Sequence, residues 1–264
     1  MRSRKKQKNI IPIVLVILIF VSAGGLVKNF YDKYQAEKRY ERIAQEVTGQ
    51  TELSEEQSLK EPESVEETET EENNYQSQVD FEALWNINSQ VVGWIKIPGT
   101  EVDYPILHDP EDNEKYLHTD LEGNDSQVGA IYLDCDDKGD FSSKHNVIYG
   151  HHMKNGSMFK DIVKYKDSSY WKEHSEIDLY LPDREIKLKP FACLYTTPDG
   201  KRRKTRFSEE NAFQSYITEM TRDAVVYEEP DQKVGKLYSL ITCSYEFQDA
   251  RTILYCYEVE DNME

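Results

Sequence analysis

The sequence predicts a mainly β fold, a barrel or sandwich of eight short strands, carried behind an apolar N-terminal segment and an acidic linker. Three observations point to it. Short runs rich in Val, Ile and Tyr recur from Val91 to Val259, bounded by Gly, Pro, Asp and Asn. Helical spacing is confined to a few stretches between them. The large apolar residues fall in two places only, the extreme N-terminus and the region after Asp80.

Residues 1–9 form a basic tail holding Arg2, Arg4, Lys5, Lys6 and Lys8. Residues 10–27, IIPIVLVILIFVSAGGLV, carry no charge and approach the ~20 apolar residues that span a bilayer. The cations before them predict a single-pass anchor with its N-terminus inside and the bulk of the chain on the extracytoplasmic side of the cell membrane. A cleaved signal peptide is the competing reading, with Ser22-Ala23-Gly24 as a small-residue site. Residues 28–50 are rich in helix formers and read as a helical stalk, with Tyr34, Ile43 and Val47 spaced by helical turns. Residues 51–79 are rich in Glu, Ser, Thr and Asn and read as a disordered acidic tether.

The folded domain is predicted over 80–264, long enough to bury a core. Asp80 is placed to cap a short helix reaching Trp85. Strands are predicted at 91–97, 102–107, 129–134, 146–150, 177–181, 185–195, 236–243 and 252–259. One helical insertion precedes the cysteine strand: Ser208 and two glutamates lead into Phe213, Tyr216, Ile217 and Met220 at helical spacing.

The formal net charge is −18, which disfavours nucleic acid as a partner because phosphate is repelled. Of the four cysteines, Cys135, Cys193, Cys243 and Cys256, no pair has zinc-site spacing, and so few do not make a disulfide scaffold. No metal or cofactor is predicted.

Cys243 ends the apolar strand SLITC, where a side chain reaches a sheet rim. A reactive thiolate there needs a base or a positive partner. Among six histidines, His151 follows the strand NVIYG directly. Arg251 stands at the start of the strand after the cysteine, where a guanidinium can hold a developing oxyanion. Each has an ordinary alternative: a core thiol, a surface imidazole, a rim salt bridge with Asp249 or Glu246. Spacing alone does not choose between them.

A resemblance does. SLITC is similar to the cysteine signature of the sortases, the cysteine transpeptidases of Gram-positive bacteria. VIYGHHMKNGSMFKDI resembles the histidine segment of class B, and VVGWIKIPGTEVDYPIL and DNEKYLHTDLEGNDSQVGAIYLD resemble its early strands. The matches run in family order through residues 80–259. The resemblance implies a closed or nearly closed eight-stranded barrel with Cys243 as nucleophile, His151 as acid/base and Arg251 as stabiliser. It places Asn113, Leu117, Ile241, Thr242 and Ser244 along the substrate groove, and the 208–221 helix as one wall. Ile241 stands where a small polar residue is common in the family, and Ser244 replaces an acidic residue of some members. The implied partners are exported proteins bearing a C-terminal sorting signal, and an amine of a peptidoglycan precursor or of a pilin. A cysteine protease or cell-wall hydrolase is a rival reading, but those enzymes usually place the cysteine before the histidine and at a helix start. A non-catalytic tethered binding protein is another.

Overall fold

The structure is a computed structural model describing residues 11–57 and 75–259. The basic tail, Ile10, the middle of the predicted tether and residues 260–264 lie outside the described residues. The chain divides into two compact units, Met1–Glu41 and Arg42–Glu264. Helix α1 (Ile11–Gln57) runs through the apolar segment and the stalk. It continues past residue 51, where the tether was expected to begin, because Glu, Leu and Gln dominate its last turns and favour helix. Among the described residues, no helix is long and apolar enough to cross a membrane.

The second unit begins earlier than the predicted boundary at residue 80. Ile43 and Val47 are buried within it, and the Val47 carbonyl accepts the Asp80 N–H at 3.0 Å. Asp80 then caps α2 (Phe81–Ile87) by accepting the Ala83 N–H at 2.9 Å.

All eight predicted strands are present: β1 (Val91–Lys96), β2 (Asp103–His108), β3 (Ile131–Leu133), β4 (His145–Tyr149), β5 (Ile177–Tyr180), β6 (Glu185–Thr196), β8 (Leu237–Cys243) and β9 (Arg251–Glu258). Their order is β5-β1-β2-β3-β4-β8-β9-β6, and β6 pairs back with β5, closing a barrel. Closure leaves no long unpaired edge. A two-residue strand, β7 (Val226–Tyr227), lies outside on β6 and was not predicted. Trp94, Trp171, Tyr165 and Phe159 are among the largest fully buried side chains. Each such burial contributes about 1.5–3 kcal/mol.

Four further short elements were not predicted, one of them a 3-10 turn at Gly200–Arg203. α3 (Lys115–His118) is a single turn. A 3-10 segment spans Phe159–Lys166, and α4 (Ser168–Glu173) follows it, capped by the Asp167 carboxylate accepting the Ser169 and Tyr170 N–H groups. The predicted insertion is α5 (Glu210–Thr221), which starts after Glu209 with no side-chain cap, so Ser208 lies one residue outside the cap position. Phe213, Tyr216, Ile217 and Met220 of α5 share one core cluster with Phe191, Leu237, Ile253 and Tyr255 of the barrel.

Candidate active site

The sheet topology gathers the predicted residues at one rim. β4 and β8 are parallel neighbours, ending in register at Tyr149 and Ile241. Their C-terminal ends therefore open on the same side of the barrel. β9 runs back against β8 with Cys243 and Arg251 as register partners. His151 leaves β4 two residues past Tyr149. His151, Cys243 and Arg251 all line one cleft of about 430 Å³.

Each of the three is held by main chain. The His151 Nε2 lies 2.8 Å from the Leu117 carbonyl. A carbonyl only accepts, so Nε2 carries the hydrogen and Nδ1 is the nitrogen left for proton exchange. Arg251 Nη1 donates to the carbonyls of Asp249 at 3.2 Å and Ala250 at 3.1 Å, and Asp249 takes a left-handed φ of 59° in that turn. The Cys243 strand end is closed by Ser244 N–H donating to the Ala250 carbonyl at 2.9 Å.

Two glycines make the histidine's seat. A Cβ on Gly150 would stand 2.4 Å from Ile131 Cδ1 and 2.6 Å from Phe159 Cγ, so only glycine lets the chain leave β4 over these side chains. Gly129 has φ +61°, and a Cβ there would lie 2.7 Å from the Tyr116 carbonyl and 3.0 Å from His151 Cδ2.

Leu117, Ile241 and Thr242 line the cleft. Two other predicted groove residues are not among its lining residues. Asn113 is engaged elsewhere, its Oδ1 accepting the Cys135 N–H at 2.9 Å. Ser244 is 4% exposed, turned in past the strand end, and its hydroxyl has no partner among the described residues. The wall expected from α5 is instead the segment Thr196–Arg203, whose Arg202 donates to the Met220 carbonyl of α5 at 2.8 Å. α5 thus supports the wall from behind.

Sequence reasoning missed a polar network in that wall. Asp134 is fully buried and receives Arg203 Nε at 2.6 Å, Arg203 Nη2 at 2.9 Å and the Tyr149 hydroxyl at 2.7 Å. Burial pushes this carboxyl up, but the bonds from Arg203, Tyr149 and the Asp136 N–H outweigh it and hold it below its ordinary range. Arg203 and Tyr149 line the cleft, and Tyr149 stacks on Tyr132 with centroids 5.1 Å apart. The signal available in the sequence was the basic run KRRK beside an otherwise acidic domain. Asp134, Cys135 and Asp136 bring donor atoms within 4.8 Å of one another, but Asp134 is already committed to Arg203 and Tyr149. His145, fully buried between the Lys204 carbonyl and the Ser239 hydroxyl, is pushed down to about 4 by burial, the environment of a core residue.

A thiol at a strand end, an imidazole with one free nitrogen and a guanidinium on one cleft are the groups an acyl transfer through a thioester requires. No family model matches the chain. Individual relatives do. Sortase B of Listeria monocytogenes is 33% identical over 175 residues, covering 66% of this chain and 70% of that protein. This chain belongs to the class B sortases. Sortase B of Staphylococcus aureus is 25% identical over 240 residues, 90% of each chain. The S. aureus sortase B–substrate complex superposes with TM-score 0.71 at 25% identity, over 88% of this chain and 100% of that one. Clostridium perfringens sortase B gives TM-score 0.64 at 26% identity, over 69% and 100%. The closed eight-stranded barrel is the sortase fold, and this sortase is a cysteine transpeptidase.

Proposed function

We propose that this sortase, anchored in the membrane through residues 10–27, cleaves the C-terminal sorting signal of exported proteins at Cys243. The acyl fragment then passes to an amine of a peptidoglycan precursor or of a pilin. The observation that carries this reading is the shared cleft of His151, Cys243 and Arg251.

In the first half-reaction the Cys243 thiolate adds to the scissile carbonyl. Negative charge gathers on the carbonyl oxygen, and Arg251, fixed by two carbonyls of its own turn, stabilises it. The amine leaves with a proton from His151, delivered by Nδ1 because Nε2 is bound to Leu117. A thioester to Cys243 remains. In the second half-reaction an amine attacks that thioester, His151 Nδ1 takes its proton, and the thiolate is released. Leu117, Ile241 and Thr242 supply groove surface for the peptide.

The uncharged run and the cations before it support the anchor, with the N-terminus inside and the barrel outside. A membrane-held enzyme then meets its emerging substrate at raised effective concentration.

The test uses the chain from residue 42 onward, which the contacts define as one unit. It is mixed with peptides bearing Leu-Pro-x-Thr-Gly-like and Asn-Pro-x-Thr-like signals and a free amine. Mass spectrometry reads the thioacyl adduct and the amine-joined product. Joined product that disappears in Cys243→Ala supports the reading, and cleavage that survives that substitution overturns it.

A further inference from the structure

The two adjacent histidines sit in different environments. His151 lines the cleft, while the neighbouring His152 is not among its lining residues. The His152 Nδ1 lies 2.9 Å from the main-chain carbonyl of Cys243. Its position follows from the sheet. The parallel ladder between β4 and β8 closes with the Gly150 N–H donating to the Ile241 carbonyl at 3.1 Å. Carbonyls of a strand point to the same side every second residue. The next acceptor on that side is Cys243, and the chain has already turned away from β8 after Gly150. The imidazole of His152 supplies the missing donor, adding one rung to the ladder with a side chain.

The surroundings fix that ring. Its edge meets the Tyr245 ring at a centroid distance of 5.0 Å, and its backbone bridges Met158. Met158 has φ 58°, and its N–H donates to the Tyr104 hydroxyl at 3.1 Å, so the 151–158 turn is pinned to β2. Burial, with the charges of Lys160 and Lys166, keeps the imidazole below its ordinary pKa despite the Cys243 carbonyl. A neutral ring bound to a carbonyl holds its hydrogen on Nδ1 and leaves Nε2 bare.

We propose that His152 is a positioning residue: as the neutral Nδ1–H tautomer it fixes the main chain of Cys243 and so aims the thiol at the scissile carbonyl. This rests on the reading of Cys243 as the nucleophile. It assigns the two histidines separate work, His151 on the substrate's protons and His152 on the nucleophile's backbone.

The test compares His152→Asn, His152→Gln and His152→Ala. An asparagine amide places an N–H near the Nδ1 position, whereas a glutamine amide reaches the Nε2 position. Asn is expected to keep kcat within about threefold, while Gln and Ala lose roughly tenfold in kcat with KM nearly unchanged, the size of one neutral hydrogen bond expressed as rate. Nitrogen NMR of the wild-type imidazole is expected to show hydrogen on Nδ1 and none on Nε2. Circular dichroism and melting of each variant separate misfolding from misplacement. Equal loss in all three folded variants, full activity in all three, or an Nε2–H tautomer would each overturn the positioning role while leaving the nucleophile in place. Joined product surviving in Cys243→Ala would overturn both together.

Discussion

The imidazole of His151 is bound to the main-chain carbonyl of Leu117, 34 positions earlier in the chain, at 2.8 Å. Because the acceptor is main chain, the orientation of the acid/base group depends on the path of the backbone there and not on the leucine side chain. Gly129 governs that path. A methyl group at its Cβ would meet the Tyr116 carbonyl at 2.7 Å and both the Leu117 carbonyl and His151 Cδ2 at 3.0 Å.

Gly129→Ala therefore loses activity as well as stability. The left-handed backbone costs alanine about 1–2 kcal/mol, and the backbone at Tyr116 must also give way, so the variant melts lower. Displacing the imidazole by a fraction of an ångström to 1 Å is expected to lower turnover by up to about 10²-fold. Steady-state kinetics beside a thermal melt checks this. A variant that melts lower but turns over normally contradicts the link.

Much of the barrel was legible because its strands are short apolar runs separated by turn residues, from VVGWIKI to TILYCYEV. The 3-10 segment and α4 were not, since 159–173 is too short to display a helical period, although Asp167-Ser168-Ser169 is a capping signal in plain view. β7 has two residues and no pattern of its own; it exists because β6 offers it an edge. At the site, Cys243, His151 and Arg251 were marked by strand ends and by motif. The partners that hold them were not, because Leu117 and Cys243 act through carbonyls that every residue possesses. The Asp134–Arg203 pair joins positions 69 residues apart, which no local pattern reports. Asn113, assigned to the groove by the resemblance, has its Oδ1 bound to the backbone N–H of Cys135, a contact that no local pattern announces.

Arg251 is anchored through Nη1 by two carbonyls, which leaves a planar fork of further N–H groups. Arg251→Lys keeps the charge and loses that geometry. In the proposed reaction it should reduce thioacyl formation by roughly 10²–10³-fold, the usual cost of one oxyanion donor. Alkylation of Cys243 by iodoacetamide should change far less, because that reaction develops no oxyanion. Rapid-quench measurement of the adduct beside alkylation rates decides it; equal losses in both would mean that Arg251 acts on the thiol.

Groove selectivity should divide between residues that line the cleft and those that do not. Ile241 lines it, and Ile241→Val costs only about 0.5–1.5 kcal/mol of stability while opening space for one methylene. Relative kcat/KM across a peptide panel should shift by up to roughly tenfold, the worth of a methylene in an apolar pocket. Asn113→Ala should leave those ratios unchanged. It removes the acceptor of the Cys135 N–H and lowers stability by about 1–3 kcal/mol. A changed peptide preference in Asn113→Ala would return that residue to the groove.

Asp137 sets a pH dependence of stability with an unusual sign. Its side chain is buried, one oxygen accepts the Val147 N–H at 2.8 Å, and the other has no partner among the described residues. Burial, with the charges of Asp134 and Asp136, raises its pKa to about 7 against the opposing pull of the Val147 N–H and the Ser143 hydroxyl. A carboxyl whose folded pKa lies above its unfolded one contributes stability that is fully present below about pH 4 and lost as pH rises through about 7. Asp134, held below its ordinary range, titrates under that window and adds stability above it. His145, lowered to about 4 by burial, titrates inside the window with the opposite sign. The wild-type curve therefore mixes the two, and the difference between wild type and Asp137→Asn isolates the carboxyl. The amide oxygen keeps the Val147 bond and carries no charge, but its NH2 is left without a partner, at a cost of about 1–3 kcal/mol that does not depend on pH. Urea unfolding should find Asp137→Asn gaining on wild type by about 2–4 kcal/mol between pH 5 and pH 8. A difference between the two proteins that stays constant from pH 5 to 8 would mean that Asp137 is ionised throughout, with its second oxygen reached by water.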